Sequence, residues 1–190
     1  MSPLAPMLAL GLSLGQGAGA ARVAPSGLVY SSAPARVVQR QPPAGSCRAI
    51  GTGLDERPDP RCTPGAVNPA VTQASIATTI CKSGWTAAVR PPESVTEPEK
   101  LASLRAYGES GASRFEYDHF VPLELGGAVN DARNLWPEPD YTGDHGFELN
   151  PKDKVETKLK HLVCEHRLSL SEAQRQIAKN WVSAMTRYGA

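Results

Sequence analysis

An acidic residue and a histidine stand side by side in this chain, at Asp118 and His119. Imidazole has an ordinary pKa of about 6.5, so the side chain of His119 is able to accept a proton from water near neutral pH. A carboxylate such as that of Asp118 binds hard divalent cations, which stabilise negative charge on phosphoryl oxygens. Together the two residues suit the hydrolysis of a phosphodiester, with His119 as general base and Asp118 as metal ligand.

The sequence around this pair has the pattern of a β-hairpin followed by a helix. Residues 117–123 alternate as a short strand does, Gly126 and Gly127 turn the chain, and a second strand starts at Asn134. Residues 151–165 then carry apolar side chains at helical spacing. The order strand, turn, strand and helix therefore follows from local signals.

The adjacency of Asp118 and His119 sets a geometric condition on the hairpin. Neighbouring residues of a regular strand point to opposite faces, so the two side chains cannot both face one substrate atom. We therefore expect either a bend or bulge at this pair, or a metal ion and an attacked phosphorus on different sides of the strand end.

The order DH, P, GG and NL before a helix, found between Asp118 and Leu135, resembles the HNH group of ββα-metal (His-Me finger) endonucleases. The resemblance covers about residues 114–164. It implies a metal-dependent endonuclease that hydrolyses DNA or RNA, with DNA favoured, and that leaves 5′-phosphate and 3′-hydroxyl ends. Carried over by position, Asp118 binds the metal ion, His119 is the general base and Asn134 orients the histidine.

The residue that completes the metal site is not fixed by the resemblance, because the sequence lacks the CxxC pairs that accompany many members of the family. The candidates are Asn150, His145 and Asp153, and we favour Asn150 as metal ligand because it opens the helix. Asparagine before proline is also a good helix N-cap, so a structural role stays open. The resemblance implies a divalent metal, with Mg2+ favoured and Mn2+ or Zn2+ as alternatives.

The first 20 residues contain no charged side chain and carry an apolar run from Leu4 to Leu14. Ala18-Gly19-Ala20 is a small-residue cleavage pattern, so residues 1–20 are predicted to be a secretory signal peptide, although a basic N-terminal region is missing. The run is too short to span a bilayer, and no later segment is apolar enough to do so. We expect a periplasmic or secreted protein without a membrane segment in its mature form.

Four cysteines, at positions 47, 62, 81 and 164, follow this leader. An even count behind an export signal predicts two disulfides, and sequence alone leaves three pairings open. We favour Cys81 with Cys164, which joins an early helix to the helix after the hairpin, and Cys47 with Cys62, which closes a loop. The spacings do not match a zinc ribbon or finger.

The chain divides into two compositional regions after the leader. Residues 21–60 are rich in Ala, Pro, Ser and Arg and poor in large apolar residues, which predicts a flexible lead-in. Residues 61–190 hold enough apolar material for one HNH-like domain with a proper core. We expect an α+β, mainly helical fold in which the hairpin and helix of a ββα-metal core are flanked by additional helices. We expect the protein to be a monomer.

Flanking helices are predicted on both sides of the hairpin. Residues 96–107 place apolar side chains on one side of a helix. A final helix over residues 171–188 carries an apolar stripe and a capping box that begins at Ser171. A shorter helix is expected around residues 76–80, and an extended piece over residues 84–89.

Charge is unevenly distributed along a chain whose net charge is only +1. Residues 1–91 contain eight basic residues (Lys or Arg) and three acidic ones (Asp or Glu), residues 92–150 contain four and twelve, and residues 151–190 contain eight and four. The acidic middle, four minus twelve or −8, suits a bound cation. The lysines from Lys152 to Lys160 are interpreted first as an exposed helix face and second as contacts to phosphate in a nucleic acid.

Two other function classes stay open. One is a secreted binding or structural module that keeps the ββα shape without catalysis, which the incomplete ligand set and the small net charge favour. The other is a cysteine hydrolase in which a thiolate attacks the substrate. It ranks last because an even set of cysteines in an exported chain more commonly forms bridges.

Overall fold

The structure is a computed structural model that describes residues 21–142 and 150–190. In these ranges the chain forms four α-helices and two small two-stranded sheets, so the expected α+β class is confirmed. None of the helices described is long and apolar enough to cross a bilayer. The signal peptide predicted over residues 1–20 and the candidate ligand His145 lie outside the described residues. In chain order the elements are β1 (Val29–Tyr30), β2 (Ala66–Val67), α1 (Trp85–Val89), α2 (Glu93–Tyr107), β3 (Phe115–His119), β4 (Leu135–Pro139), α3 (Pro151–Cys164) and α4 (Leu170–Tyr188).

The expected hairpin is formed by β3 and β4, which pair in antiparallel fashion. The register runs without interruption from Phe115 opposite Pro139 to His119 opposite Leu135, with one residue facing one residue at every step. The strand therefore has no bulge at Asp118. The bulge expected as one way to bring the two side chains together is absent, and the regular strand directs Asp118 and His119 to opposite faces.

The connection between the two strands folds back tightly on the end of β3. Leu123–Leu125 forms a turn of 3-10 helix, and Gly126 follows with a φ of 72°, in the left-handed region that glycine adopts at little cost. At Gly127 a Cβ atom would lie 1.7 Å from the carbonyl oxygen of Val121. Only glycine permits this approach of two backbone stretches, so the glycine pair fixes the path of the loop.

The helix predicted after the hairpin is α3, and it packs against α4 and the turn that follows β3. Its apolar residues Val155, Leu159 and Val163 are fully buried, as their helical spacing predicts. Burial of each such aliphatic side chain stabilises the fold by about 1.5–3 kcal/mol. The main core combines them with buried residues of α4 and the loops, among them Val67, Val71, Ile76, Ile80, Val121, Leu125, Ile177 and Trp181.

A smaller core joins α2 to the hairpin. Trp136 of β4 is 1% exposed and packs with Tyr107 of α2, with the ring centroids 6.3 Å apart. Cys47 and Phe120 belong to the same cluster. The segment around the first disulfide is therefore held against the outer side of the hairpin through α2.

Both disulfides have the pairing favoured from the sequence, Cys47 with Cys62 and Cys81 with Cys164. All four cysteines lie in the described residues and none is free, so no thiolate is left for the cysteine hydrolase considered above. The second bridge spans 83 residues and ties the segment before α1 to the end of α3. On the chain-entropy account a bridge of this span contributes about 4.5 kcal/mol of stability.

Residues 21–60 contain little regular structure, in line with their composition, but they are hydrogen-bonded to the rest of the domain. β1 pairs in parallel with β2. The backbone N–H of Gln39 donates to the carboxylate of Glu99 at 2.5 Å, and that of Cys47 donates to the carbonyl oxygen of Ala106 at 3.0 Å. These long-range backbone contacts are not visible in the composition of the segment.

The prediction of a helix around residues 76–80 was wrong about the type of structure. Only a short 3-10 turn forms, at Ile76–Thr78. The hydroxyl of Ser75 donates to the carbonyl oxygens of Ala70 and Thr72, at 2.9 and 3.3 Å. Such side-chain hydrogen bonds to nearby backbone favour turns over a regular helix, and Ser and Thr are frequent in this stretch.

Two further local predictions were wrong. Residues 84–89, expected to be extended, contain α1, which follows Gly84 at a φ of 76°. The capping box at Ser171 is replaced by a cap at Ser169, whose hydroxyl accepts from the backbone N–H of Glu172 at 3.2 Å. The final helix consequently begins at Leu170, close to the predicted start, and ends at Tyr188 as expected.

Candidate functional site

His119 is the last residue of β3, and it is buried, with 6% of the residue exposed. Its Nε2 atom lies 3.0 Å from the carbonyl oxygen of Val129 in the hairpin loop. A carbonyl oxygen only accepts, so Nε2 carries the proton and Nδ1 is the basic nitrogen of the neutral ring. Burial lowers the pKa of His119 by more than the neighbouring charge of Asp118 raises it. The ring is therefore neutral near pH 7.

Asn134, expected to orient the histidine, lies just before β4 and is fully buried. Its Nδ2 donates to the carbonyl oxygens of Val121 at 2.9 Å and Ala128 at 3.2 Å, and its Oδ1 accepts from the N–H of Val121 at 2.9 Å. These bonds clamp the two ends of the hairpin loop together. Asn134 therefore contacts the loop that contains Val129 and forms no hydrogen bond to the ring of His119.

The carboxylate of Asp118 is bound by an ammonium group of the protein itself. Nζ of Lys152 donates to Oδ2 of Asp118 and, at 2.6 Å, to Oε1 of Glu156. The main-chain oxygen of His119 accepts from it at 3.0 Å, and Oε2 of Glu138 lies 3.3 Å away. We call the four side chains of this arrangement the Lys152 cluster. Its members are Asp118, Glu138, Lys152 and Glu156.

The position of Lys152 differs from the sequence prediction, which placed it on an exposed helix face. Its side chain is 1% exposed, whereas that of Asp118 keeps 21% of its surface in solvent. Lys152 is the second residue of α3, and from this first turn its side chain reaches inward over the hairpin. The cluster therefore forms where the start of α3 covers one face of β3 and β4.

Shifted protonation balances the charges of the Lys152 cluster. Burial acts to lower the pKa of Lys152, but the surrounding carboxylates raise it well above its ordinary value. Burial acts to raise the pKa of Asp118, and the adjacent ammonium lowers it below its ordinary value. Burial, with a contribution from the charge of Asp118, raises the pKa values of Glu138 and Glu156. A charged Lys152–Asp118 pair is thus surrounded by two glutamates shifted towards their neutral form.

Asn150, the expected helix ligand, lies directly before α3, and its side chain makes no capping hydrogen bond to the helix. Its Oδ1 accepts from the N–H of Tyr141 at 2.9 Å, and its Nδ2 donates to Oε1 of Glu116 at 2.6 Å. Glu116 and Asp118 are two residues apart in β3, so their side chains lie on the same face of the strand. Asn150 donates a hydrogen bond to Glu116, whereas Lys152 pairs with Asp118. The two expected metal ligands, Asp118 and Asn150, therefore lie on the same side of the hairpin but bind different side chains.

A divalent ion shared by Asp118 and Asn150 does not fit this arrangement. Asp118 is paired with Lys152, and the amide oxygen of Asn150 is directed to a backbone N–H. Asp153, the third candidate, is the third residue of α3, and burial followed by the charge of Asp118 raises its pKa. In residues 21–142 and 150–190 no group of three or more His, Cys, Asp or Glu side chains is arranged to hold a metal ion. The point on which the carboxylates converge is filled by an ammonium group.

Arg90 contributes to the electrostatics of His119, which the sequence did not predict. It is exposed, follows α1, and carries a positive charge close enough to the imidazole to lower the pKa of His119. The whole of α2 separates Arg90 from His119 along the chain, so no local pattern connects them.

For the Lys152 cluster the sequence contained one signal, the i, i+4 spacing of Lys152 and Glu156 on a predicted helix.

Comparison with known proteins does not place the chain in a family. No family model, no curated protein and no solved structure matches it. The resemblance to HNH nucleases noted in the sequence therefore rests on the residues of the hairpin alone.

Proposed function

We propose that this protein is a nuclease that hydrolyses phosphodiester bonds in nucleic acid, DNA in preference to RNA, on a ββα core made of β3, β4 and α3. The observation that carries the proposal is the hydrogen bond from His119 to the Val129 carbonyl oxygen. It fixes the proton on Nε2 and leaves Nδ1 as the basic atom. A neutral histidine held in one tautomer at a strand end, with a carboxylate beside it, is suited to general-base catalysis.

In the proposed reaction Nδ1 of His119 takes a proton from a water molecule whose oxygen attacks the phosphorus. The new P–O bond forms as the bond to the 3′ oxygen breaks, and that oxygen takes a proton from solvent, which leaves 5′-phosphate and 3′-hydroxyl ends. Asn134 is a positioning residue, because it clamps the loop that holds the imidazole in place. The divalent ion expected from the resemblance enters no step, since Asp118 and Asn150 do not converge.

Arg90 is the cation that we propose to face the phosphate. Arg90 is exposed, and its positive charge acts to lower the pKa of His119. A guanidinium matches two phosphate oxygens with paired N–H donors and keeps its charge at every working pH. Its charge would offset the negative charge that builds on the phosphoryl oxygens as the water attacks.

Plasmid digestion by the purified, oxidised protein tests this function. We expect nicking that falls by about 10²–10⁴-fold in His119→Ala, since general-base catalysis is worth that much. For Arg90→Ala we expect a loss of about 100-fold, typical of one donor to a developing anion. His161→Ala, which removes an exposed histidine of α3, is the matched control and is expected to retain full activity. Equal activity of wild type and His119→Ala would indicate a contaminant and reject the proposed base.

Metal dependence is a separate prediction of the same assay. Each digestion is run with Mg2+, with Mn2+ and with EDTA. Loss of activity in EDTA that either ion restores would support the metal requirement implied by the HNH resemblance. Full activity in EDTA would support catalysis by His119 and Arg90 without a bound ion.

A second candidate function is a non-catalytic binding or structural module on the same ββα core. The specific observation in its favour is the small exposed fraction of His119, 6%, which restricts access of a substrate to the ring. Under this alternative the wild type and the variants of His119 and Arg90 all show only background nicking of the plasmid. Nucleic-acid binding by the inactive protein, measured by fluorescence anisotropy, would then distinguish a binding module from a purely structural one.

We propose further that the protein is exported. Two disulfides are stable in an oxidising compartment and rare in a reducing cytosol. Protein recovered from the periplasm or medium is expected to show no free thiol before reduction and four after it. Four free thiols in the exported protein before reduction would remove the support that the disulfides give.

A further inference from the structure

The oxygen atoms around Lys152 form a cage whose donors are of the chemical type that also binds divalent metal ions. Three carboxylates and one main-chain carbonyl surround Nζ, and each contributes an oxygen at no more than 3.3 Å. Carboxylate and carbonyl oxygens are the ligands that Mg2+, Mn2+ and Ca2+ take in proteins. The cage therefore has the donor chemistry of a divalent site while its centre holds a nitrogen of the chain.

The cage is assembled from three separate elements. Asp118 and the carbonyl of His119 come from β3, Glu138 comes from β4, and Glu156 comes from the second turn of α3. Such convergence on one point distinguishes the arrangement from a surface salt bridge. The surface pair Lys160–Glu124 has its two side chains 28% and 27% exposed, whereas the Lys152 side chain is 1% exposed.

We propose that the ammonium of Lys152 is the resident cation of this cage and takes the place of a divalent metal ion, so that the wild-type cluster binds no metal and becomes a metal site only when that ammonium is removed. The attached cation is present at a fixed position and needs no supply from solution. An ion that entered the cage would have to expel the ammonium from buried carboxylates, leaving two cations beside one another. This inference rests on the geometry of the cluster and not on the nuclease activity.

Isothermal titration calorimetry with MnCl2 tests the inference on three proteins, the wild type, Lys152→Met and Lys160→Met. Methionine removes the charge and keeps an unbranched side chain of similar length, and Lys160 is a lysine of the same helix with a surface carboxylate partner. We expect Lys152→Met to bind one Mn2+ at least about 10-fold more tightly than the other two proteins, a difference of about 1.4 kcal/mol. Added Mn2+ is also expected to raise the melting temperature of Lys152→Met alone, since binding to the folded state stabilises it.

A measurement on the wild type keeps the inference testable if Lys152→Met does not fold. Mn2+ is paramagnetic and broadens the NMR signals of nearby nuclei, so an ion in the cage would broaden the amide signals of Asp118 and Glu138. We expect those signals to stay sharp at millimolar Mn2+. Broadening centred on them, or Mn2+ binding by a folded Lys152→Met that is no tighter than that of Lys160→Met, would overturn the inference.

The outcomes separate this inference from the proposed function. Absence of nicking in the wild type, together with tight Mn2+ binding by Lys152→Met, would reject the nuclease and retain the resident ammonium. Nicking by the wild type that needs Mn2+, together with broadening at Asp118, would retain the nuclease and reject the resident ammonium.

Discussion

Two aspartates in this protein are neutralised in different ways. Asp118 belongs to the Lys152 cluster, in which the cation is 1% exposed and several acidic groups share it. Asp59 lies in a loop near the first disulfide and pairs with Arg61, whose side chain is 73% exposed. Asp59 also accepts hydrogen bonds from the backbone N–H groups of Arg48 and Arg61, both at 2.9 Å. The charge of Asp118 is neutralised by a lysine that the tertiary fold brings to it, whereas that of Asp59 is neutralised mainly by groups of its own turn.

The comparison shows where a lost charge is expected to matter most. Removing a buried ammonium leaves carboxylates without a cation in a place that water reaches poorly, which is costly. The backbone donors around Asp59 stay in place when Arg61 or the aspartate charge changes, and solvent already reaches the guanidinium. The cluster should therefore be sensitive to a single charge deletion and the Asp59 turn less so.

The largest effect is expected from Lys152→Met. Breaking a buried ion pair by removing one partner costs about 3–5 kcal/mol, and here Asp118 loses its cation while Glu138 and Glu156 lose a contact to the same ammonium. Urea denaturation of the oxidised protein without divalent ions measures this loss. A decrease below about 1 kcal/mol, the range of exposed pairs, would show that the cluster is not the ionic centre that its geometry indicates.

Asp59→Asn is expected to have a smaller effect. The amide keeps an acceptor for the N–H groups of the turn but loses the charge that binds Arg61, so we expect a loss of about 2 kcal/mol near pH 7. The same denaturation experiment measures it, with Asp55→Asn, an exposed aspartate of the same region, as the control. A loss equal to that of Lys152→Met would remove the distinction between the two arrangements.

The Asp59 turn also predicts a pH dependence. The hydrogen bond from Arg61 and the backbone donors hold the pKa of Asp59 well below its ordinary value, so the folded protein binds fewer protons there than the unfolded chain does. The stability from this group is present above the unfolded pKa of about 3.9 and is lost as the pH falls further. We expect the difference in stability between wild type and Asp59→Asn to shrink from pH 5 to pH 2. A constant difference over that range would show that the charge of Asp59 does not stabilise the fold.

Lys160→Met is expected to have the smallest effect. Lys160 and Glu124 form an ion pair at 3.2 Å with both side chains partly exposed, and such pairs contribute about 0–1 kcal/mol. Raising the salt concentration should reduce even this contribution, since exposed charges are screened. A loss comparable to that of Lys152→Met would mean that exposure does not separate the two lysines of α3.

Local patterns predicted the types of the elements around the site. Residue alternation and the glycine pair predicted the hairpin, but its first strand is Phe115–His119 rather than residues 117–123. Apolar spacing predicted the bounds of α3 and α4 closely, although the backbone of α4 is non-helical at Asn180. The same logic failed for residues 76–80 and 84–89, because short stretches rich in Ser, Thr and Gly are decided by side-chain hydrogen bonds and turns rather than by periodicity. The secondary structure of long periodic segments is predictable because many residues favour the same type of element.

The site was predicted only in part, for a similar reason. The adjacency of Asp118 and His119 is a property of the chain, and so is the cysteine count that predicted two disulfides. Lys152 carries the same helix-surface pattern as the lysines that follow it, and nothing local distinguishes it from them. The carboxylates that surround it come from β3, β4 and the second turn of α3, and only the fold brings these elements together.

The sequence by itself therefore determined the hairpin, the two long helices after it, and the histidine and carboxylate at the strand end. Each of these features depends on residues that are close together in the chain. Only the tertiary structure decided what surrounds that pair. The tautomer of His119 is set by a carbonyl in the hairpin loop, and the cation beside Asp118 is Lys152. These partners meet because the chain folds back on itself, and the energy of a buried charge depends on which groups the fold brings within a few ångströms of it.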